Sequence, residues 1–119
     1  MQAKPQLQEM TPTEVHTALV RHEIVLIDVR EPQEYVTERI HGALLCPLST
    51  FDPAALPVGP RPIVLHCGSG KRSAAAVAKC IDAGVSVTTH MTGGIAAWKH
   101  ARLHTVTLDP ATGAVVDRR

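Results

Sequence analysis

Residues 66–73 read His66-Cys67-Gly68-Ser69-Gly70-Lys71-Arg72-Ser73 and follow directly on the apolar run Ile63-Val64-Leu65. An apolar run, a glycine-rich turn and an alanine-rich stretch, in that order, predict a strand, a tight loop and a helix. Such a loop sets the cysteine sulfur in a cup of backbone N–H groups at the start of a helix. A cup of this kind lowers a thiol pKa and binds anions. The chemistry it implies is nucleophilic attack by a Cys67 thiolate beside a cradle for a negatively charged partner. Gly68 and Gly70 permit the close backbone approach that side chains would block. Lys71 and Arg72 add positive charge, with Arg72 closing the loop and contacting the anion.

The flanking residues need an assignment too. Neighbours on a strand point to opposite faces, so His66 belongs to packing or to the surface and is not the base for Cys67. Cys80, on the apolar helix, and Cys46, in a strand, read as small buried apolar residues. Asp28 and Arg30 stand at the C-terminal end of an apolar run, where α/β sheets place their sites. They support the active loop or form a structural ion pair, Arg30 being assigned to Glu34. Trp98 is assigned to the core.

The elements that must hold these residues follow from the pattern. Thr11-Pro12-Thr13-Glu14 is a helix start with a capping box, and the helix is expected to bury Val15, Leu19 and Val20. Residues 24–29, an apolar run ending in an acid, are expected as a strand covered on both faces, as in a parallel sheet, and residues 63–66 as a further strand. Glu31-Pro32 opens a second helix. Residues 43–46 make a short strand stopped by Pro47, and residues 52–62, with four prolines, make a surface connection. Residues 72–83 form a helix whose buried face carries Ala74, Val77, Ala78 and Ile81, with Gly84 as its stop. A further strand is expected over residues 85–90, then a short helix with Ile95 and Trp98. Strands alternating with helices make an α/β fold with a mainly parallel sheet. Residues 104–116 read as a β-hairpin turning at Asp109-Pro110-Ala111-Thr112-Gly113, available as a sheet edge or a dimer contact.

Composition bounds the function. At 119 residues, 45% of them hydrophobic, the chain is expected to be one globular domain. A net charge of +1 gives no support for nucleic-acid or membrane binding. No apolar run is long enough to span a bilayer, and the first six residues show no secretory pattern. Three widely spaced cysteines argue against a disulfide framework, and there is no CxxC pair or HExxH motif, so no metal is expected. A reducing, cytoplasmic location fits these features.

Three segments in order resemble a known family. Leu26-Ile27-Asp28-Val29-Arg30-Glu31-Pro32 with Glu34-Tyr35 is the first. Arg39-Ile40-His41-Gly42-Ala43 is the second. Cys67-Gly68-Ser69-Gly70-Lys71-Arg72-Ser73, backed by Gly93-Gly94-Ile95-Ala96-Ala97-Trp98, is the third. Together they resemble a single-domain rhodanese, a thiosulfate sulfurtransferase-like protein, over residues 8–102. The resemblance implies a rhodanese-like α/β domain over residues 1–119. Its central, mainly parallel sheet is flanked by helices, and residues 103–119 form a C-terminal hairpin or tail. It implies that Cys67 carries sulfur as a persulfide, taken from thiosulfate or a persulfide donor and passed to cyanide or a thiol. Gly68, Ser69, Gly70, Lys71, Arg72 and Ser73 would bind the anionic donor, and no cofactor is called for.

Other readings stay open at this point. One is a non-catalytic or persulfide-carrying interaction module. Another is a cysteine-dependent phosphatase or arsenate reductase, whose loop has one residue more than the six from Cys67 to Arg72. The family often has His where Arg39 stands and an acid where Thr92 stands, and neither position holds the sulfur. Small size and a shallow loop predict an exposed site open to a protein acceptor, on a monomer or homodimer.

Overall fold

The computed structural model describes residues 4–118, so expectations for residues 1–3 and 119 lie outside the described residues. In chain order the elements are β1 (Gln8–Met10), α1 (Pro12–Val20), β2 (Val25–Asp28), α2 (Pro32–Thr37), β3 (Glu38–Arg39), β4 (Leu44–Leu45), β5 (Ile63–His66), α3 (Lys71–Asp82), β6 (Thr89–Met91), α4 (Gly94–His100), β7 (Thr105–Leu108) and β8 (Val115–Arg118). Five strands pair in parallel in the order β1-β6-β5-β2-β4. From β2 the chain moves outward to β4, and from β5 it moves the other way to β6. Right-handed crossovers running in opposite directions place helices on opposite faces, and the crevice between the two directions opens at the C-terminal ends of β2 and β5.

The apolar run over residues 24–29 is buried from both sides as expected, and β5 is buried likewise. On one face α1 and α4 pack Val15, Ala18, Ile95 and Trp98 against Leu26 and Val64. On the other, α3 packs Ala76, Val77 and Cys80 against Ile27, Ile63 and Leu65. Alternation along β5 therefore sends His66 toward the α1 side and Cys67 toward the α3 side. The Thr11 capping box forms, the Thr11 hydroxyl accepting from Glu14 N–H while the Glu14 carboxylate accepts from Thr11 N–H.

Four local expectations are corrected. Val20 is exposed, because five residues on from Val15 it lies about 140° around the helix; Ala18 fills the core instead. The buried face of α3 is Ser73, Ala76, Val77 and Cys80, turned by about one residue because Ser73 faces Cys67. Strand β6 begins only at Thr89, since the end of α3 uses the preceding residues. Gly84 N–H donates to Ile81 O and Val85 N–H to Cys80 O, the paired bonds that close a helix with a left-handed glycine. The connection over residues 52–62 is largely exposed but buries Leu56 against the α3 side.

The tail forms the expected hairpin but does not extend the parallel sheet. β7 pairs antiparallel with β8 and with β3, making a second, three-stranded sheet. Within that sheet Glu38 accepts from Thr105 Oγ1 at 2.6 Å, and it ties the sheet to α4 by accepting from Lys99 Nζ at 2.9 Å. Trp98 Nε1 adds a bond to His104 O. No helix among the described residues is long and apolar enough to cross a membrane.

Candidate active site

Cys67 stands where β5 ends, and the loop after it turns into α3. Two peptide groups of this loop are held from outside it. Ile95 N–H donates to Cys67 O at 2.9 Å and Ala96 N–H to Gly68 O at 3.2 Å, both from the first turn of α4. With Gly68 O engaged by α4, the N–H of the same peptide, that of Ser69, is turned toward the sulfur. Gly70 N–H donates to Cys67 Sγ at 3.0 Å. The approach is close enough that a Cβ on Gly94 would collide with Cys67 O and the Gly68 carbonyl group. Gly70 has φ +102° and backs onto Gly93, so it too must lack a side chain.

The electrostatics of the thiol are a contest. Burial alone would raise the Cys67 pKa. The Ser73 hydroxyl and the N–H groups of Ser73, Gly70 and Ser69 outweigh it and hold the thiol below its ordinary value. Cys46 and Cys80 have no such donors, and burial pushes both thiols up. The sulfur is fully buried, with Ser69 and Lys71 exposed at the rim. The expected shallow, open site is thus corrected: the loop folds over its own cysteine.

Arg72 does not point a free guanidinium at the cradle. Its Nη1 and Nη2 donate to Glu34 Oε1 and Oε2 at 2.7 and 3.0 Å, a two-pronged pair reaching across from α2. Arg72 in turn holds the Glu34 carboxyl down at a pKa of about 2. Arg30 therefore pairs with Asp28, not with Glu34 as the sequence suggested. Its Nε and Nη2 meet the Asp28 carboxylate at 2.8–3.1 Å, and its backbone N–H donates to Oδ1 at 2.8 Å. Both side chains are buried. Arg30 also reaches Glu38 O, fixing the end of β2 to β3. Asp28 and His66 are register partners, and His66 Nε2 lies 3.5 Å from Asp28 Oδ2 without a hydrogen-bond partner. Burial holds the His66 imidazole below its ordinary pKa, against the attraction of Asp28. His66 is packing, as its place on the strand implied.

Sequence reasoning passed over His90 and Glu9. Ser73 Oγ lies 3.5 Å from Cys67 Sγ and 2.7 Å from His90 Nδ1, and His90 Nε2 lies 3.2 Å from Glu9 Oε2. Residues 9, 73 and 90 sit on three elements far apart in sequence, so no local spacing signals them. Among the described residues no group of three His, Cys, Asp or Glu could hold a metal. A groove of about 560 Å³ lies at the opposite end of the sheet, lined by His16, His41, Ile24 and Leu44, and shares no residue with the loop.

The fold and this loop have known counterparts. The chain matches the rhodanese-like domain over residues 11–101 and belongs to that family. It is 44% identical over 84 residues to an uncharacterized protein of Synechocystis, covering 70% of this chain and 47% of that one. It is 42% identical over 94 residues to the probable adenylyltransferase/sulfurtransferase MoeZ of Mycobacterium tuberculosis, covering 75% of this chain and 24% of that one. The chain thus spans under half of the first relative and about a quarter of the second. A rhodanese-related protein from Thermoplasma volcanium shares the fold, with a TM-score of 0.72 at 24% identity over 83% of this chain and 97% of that one.

Two outcomes follow for stability. Gly94→Ala, which forces α4 off the loop, is expected to cost about 2 kcal/mol or more in urea denaturation. Asp28→Ala strands the buried Arg30 and is expected to cost about 3–5 kcal/mol. A third concerns pH. The unfolded chain binds a proton that folded His66 refuses, so stability is full above the ordinary imidazole range and falls as pH drops below about 6.5. His66→Gln should flatten that part of the curve, leaving the carboxylate losses at lower pH.

Proposed function

We infer that this chain is a sulfurtransferase that moves sulfane sulfur through a persulfide on Cys67. The observation that carries the reading is the Cys67 sulfur at the focus of backbone N–H donors in a six-residue loop. Its 42% identity to a protein named as a probable sulfurtransferase supports the class. The donor in this reading is a small anion such as thiosulfate or a persulfide, and the acceptor is cyanide or a thiol, free or on a protein.

The chemistry needs no cofactor. The Cys67 thiolate attacks the outer sulfur of thiosulfate, a Cys67–sulfur bond forms, the donor's sulfur–sulfur bond breaks, and sulfite leaves with the electron pair. The new terminal sulfur is anionic, and the N–H groups that favour the thiolate suit it as well. The acceptor then attacks that sulfur, and Cys67 departs as thiolate. Gly68 and Gly70 keep the cradle free of side chains, Ser69 and Ser73 supply donors, and Lys71 adds positive charge at the exposed rim. Arg72, half-neutralised by Glu34, contributes less charge to the donor than a free arginine would. Asp28 and Arg30 support the site by fixing the end of β2.

The test is intact mass after incubation with thiosulfate, then with cyanide. Wild type is expected to gain one sulfur atom, to lose it to cyanide and to release thiocyanate, while Cys67→Ser does none of these. No adduct on wild type, from thiosulfate or from a low-molecular-weight persulfide, contradicts the reading. Glu34→Gln releases Arg72 and is expected to lower KM for thiosulfate by roughly twofold to tenfold with a smaller effect on kcat.

A further inference from the structure

A row of four side chains runs from the buried sulfur to the surface. Cys67 Sγ to Ser73 Oγ is 3.5 Å, Ser73 Oγ to His90 Nδ1 is 2.7 Å, and His90 Nε2 to Glu9 Oε2 is 3.2 Å. Cys67, Ser73 and His90 are buried, whereas the Glu9 side chain is more than half exposed. We propose that Ser73 and His90, steadied by Glu9, form a proton relay that takes the thiol proton from Cys67 and later returns it. The proposal rests on the reading of Cys67 as the nucleophile.

Counting hydrogens along the row fixes its two states. A serine hydroxyl carries one hydrogen, and a neutral imidazole carries one on only one of its two nitrogens. When Cys67 is a thiol, its S–H donates to Ser73 Oγ, the hydroxyl donates to His90 Nδ1, and Nε2–H donates to Glu9. When Cys67 is a thiolate, the hydroxyl turns to donate to Sγ. Ser73 Oγ then needs a donor from behind, and Nδ1 supplies one only if His90 is an imidazolium, with Nε2–H still on Glu9. Both states satisfy every group in the row. A thiolate beside a neutral His90 does not: with the hydrogen on Nε2, Nδ1 faces the Ser73 lone pairs bare, and with it on Nδ1, Nε2 faces the Glu9 carboxylate bare. The Gly70 carbonyl, 3.2 Å from Ser73 Oγ, also competes for the hydroxyl hydrogen, but it cannot keep a proton.

The proton balance is closed. One proton passes from Sγ to Oγ as the hydroxyl's own proton passes to Nδ1, and no electrons change hands. The thiolate then attacks the outer donor sulfur and sulfite leaves. When the acceptor takes the sulfur, Cys67 departs as thiolate and recovers its proton along the same row. The charged groups facing the row are Glu9 from β1 at its outer end and, beside Cys67, Arg72 with its partner Glu34. His90 is thus a positioning residue, acting on the sulfur through Ser73.

The test is the ultraviolet thiolate absorbance of Cys67 against pH, each variant read as the difference from its Cys67→Ser counterpart. His90→Asn keeps a hydrogen-bonding group beside Ser73 but cannot hold the extra proton. It is expected to raise the titration midpoint so that the thiolate fraction at neutral pH falls about tenfold. Glu9→Gln, at the exposed end, is expected to lower that fraction about two- to threefold. A folded His90→Asn protein with the wild-type midpoint overturns the relay and leaves His90 a structural role. If His90→Asn fails to fold, Glu9→Gln decides: a raised midpoint supports the relay and an unchanged one overturns it. Sulfur loading is read separately by mass. A shifted midpoint without any adduct sinks the sulfurtransferase reading and keeps the relay, whereas an adduct with unshifted midpoints does the reverse.

Discussion

Two hydrogen bonds, from Ile95 N–H to Cys67 O and from Ala96 N–H to Gly68 O, set the polarity of the active loop. Every peptide unit points its carbonyl and its N–H in opposite directions. Fastening these two carbonyls to the start of α4 turns the N–H groups of Gly68 and Ser69 the other way; Ser69 N–H is among the donors that lower the Cys67 pKa, and Gly70 N–H adds its own bond to Sγ. The glycines follow from that constraint. Gly94 must let α4 reach the loop backbone, and Gly70 must take a left-handed turn against Gly93. The parallel sheet places both partners: β5 ends at the loop, its neighbour β6 ends at Met91 just before Gly93-Gly94, and in-register pairing brings the two ends together.

The charges around the loop divide into two pairs with different work. Asp28 with Arg30 is buried and structural, fastening the end of β2 to β3 and so to the second sheet. Arg72 with Glu34 is half exposed and joins the loop's last turn to α2. Neither pair supplies an unshielded cation to the sulfur. The thiolate is favoured instead by short-range donors, which work in a buried setting where solvent does not screen them. That is why Cys67 ionises more readily than Cys46 or Cys80 although it is itself fully buried.

Much of this was legible in the sequence, and the reasons are local. The continuous run at residues 24–29 announces a sheet covered on both faces, and the run at residues 63–66 a further strand. Thr11-Pro12 with Glu14 announces a helix start, and the glycines around Cys67 announce the loop. Pairings between distant residues were not legible. Glu34 stands four residues from Arg30, about one helical turn, and that spacing favoured the wrong partner, since Arg30 turns back onto Asp28 two residues away while Arg72 arrives from α3. Two residues of β3 carry no periodicity, so the second sheet could not be read. His90 sits in Thr88-Thr89-His90-Met91-Thr92, where nothing local points to Ser73. The depth of the sulfur was also hidden, because burial under a loop depends on α4 packing and not on the loop's own residues.

The central claim is that this packing makes Cys67 the acidic thiol of the protein. The most direct measurement is the pH titration of thiolate absorbance for the wild type and for the three single Cys→Ser variants, which resolves each thiol in turn. The account predicts that Cys67 ionises at the lowest pH of the three, below the ordinary thiol range, with Cys46 and Cys80 above it. A Cys67 that ionises together with the other two, or after them, contradicts it.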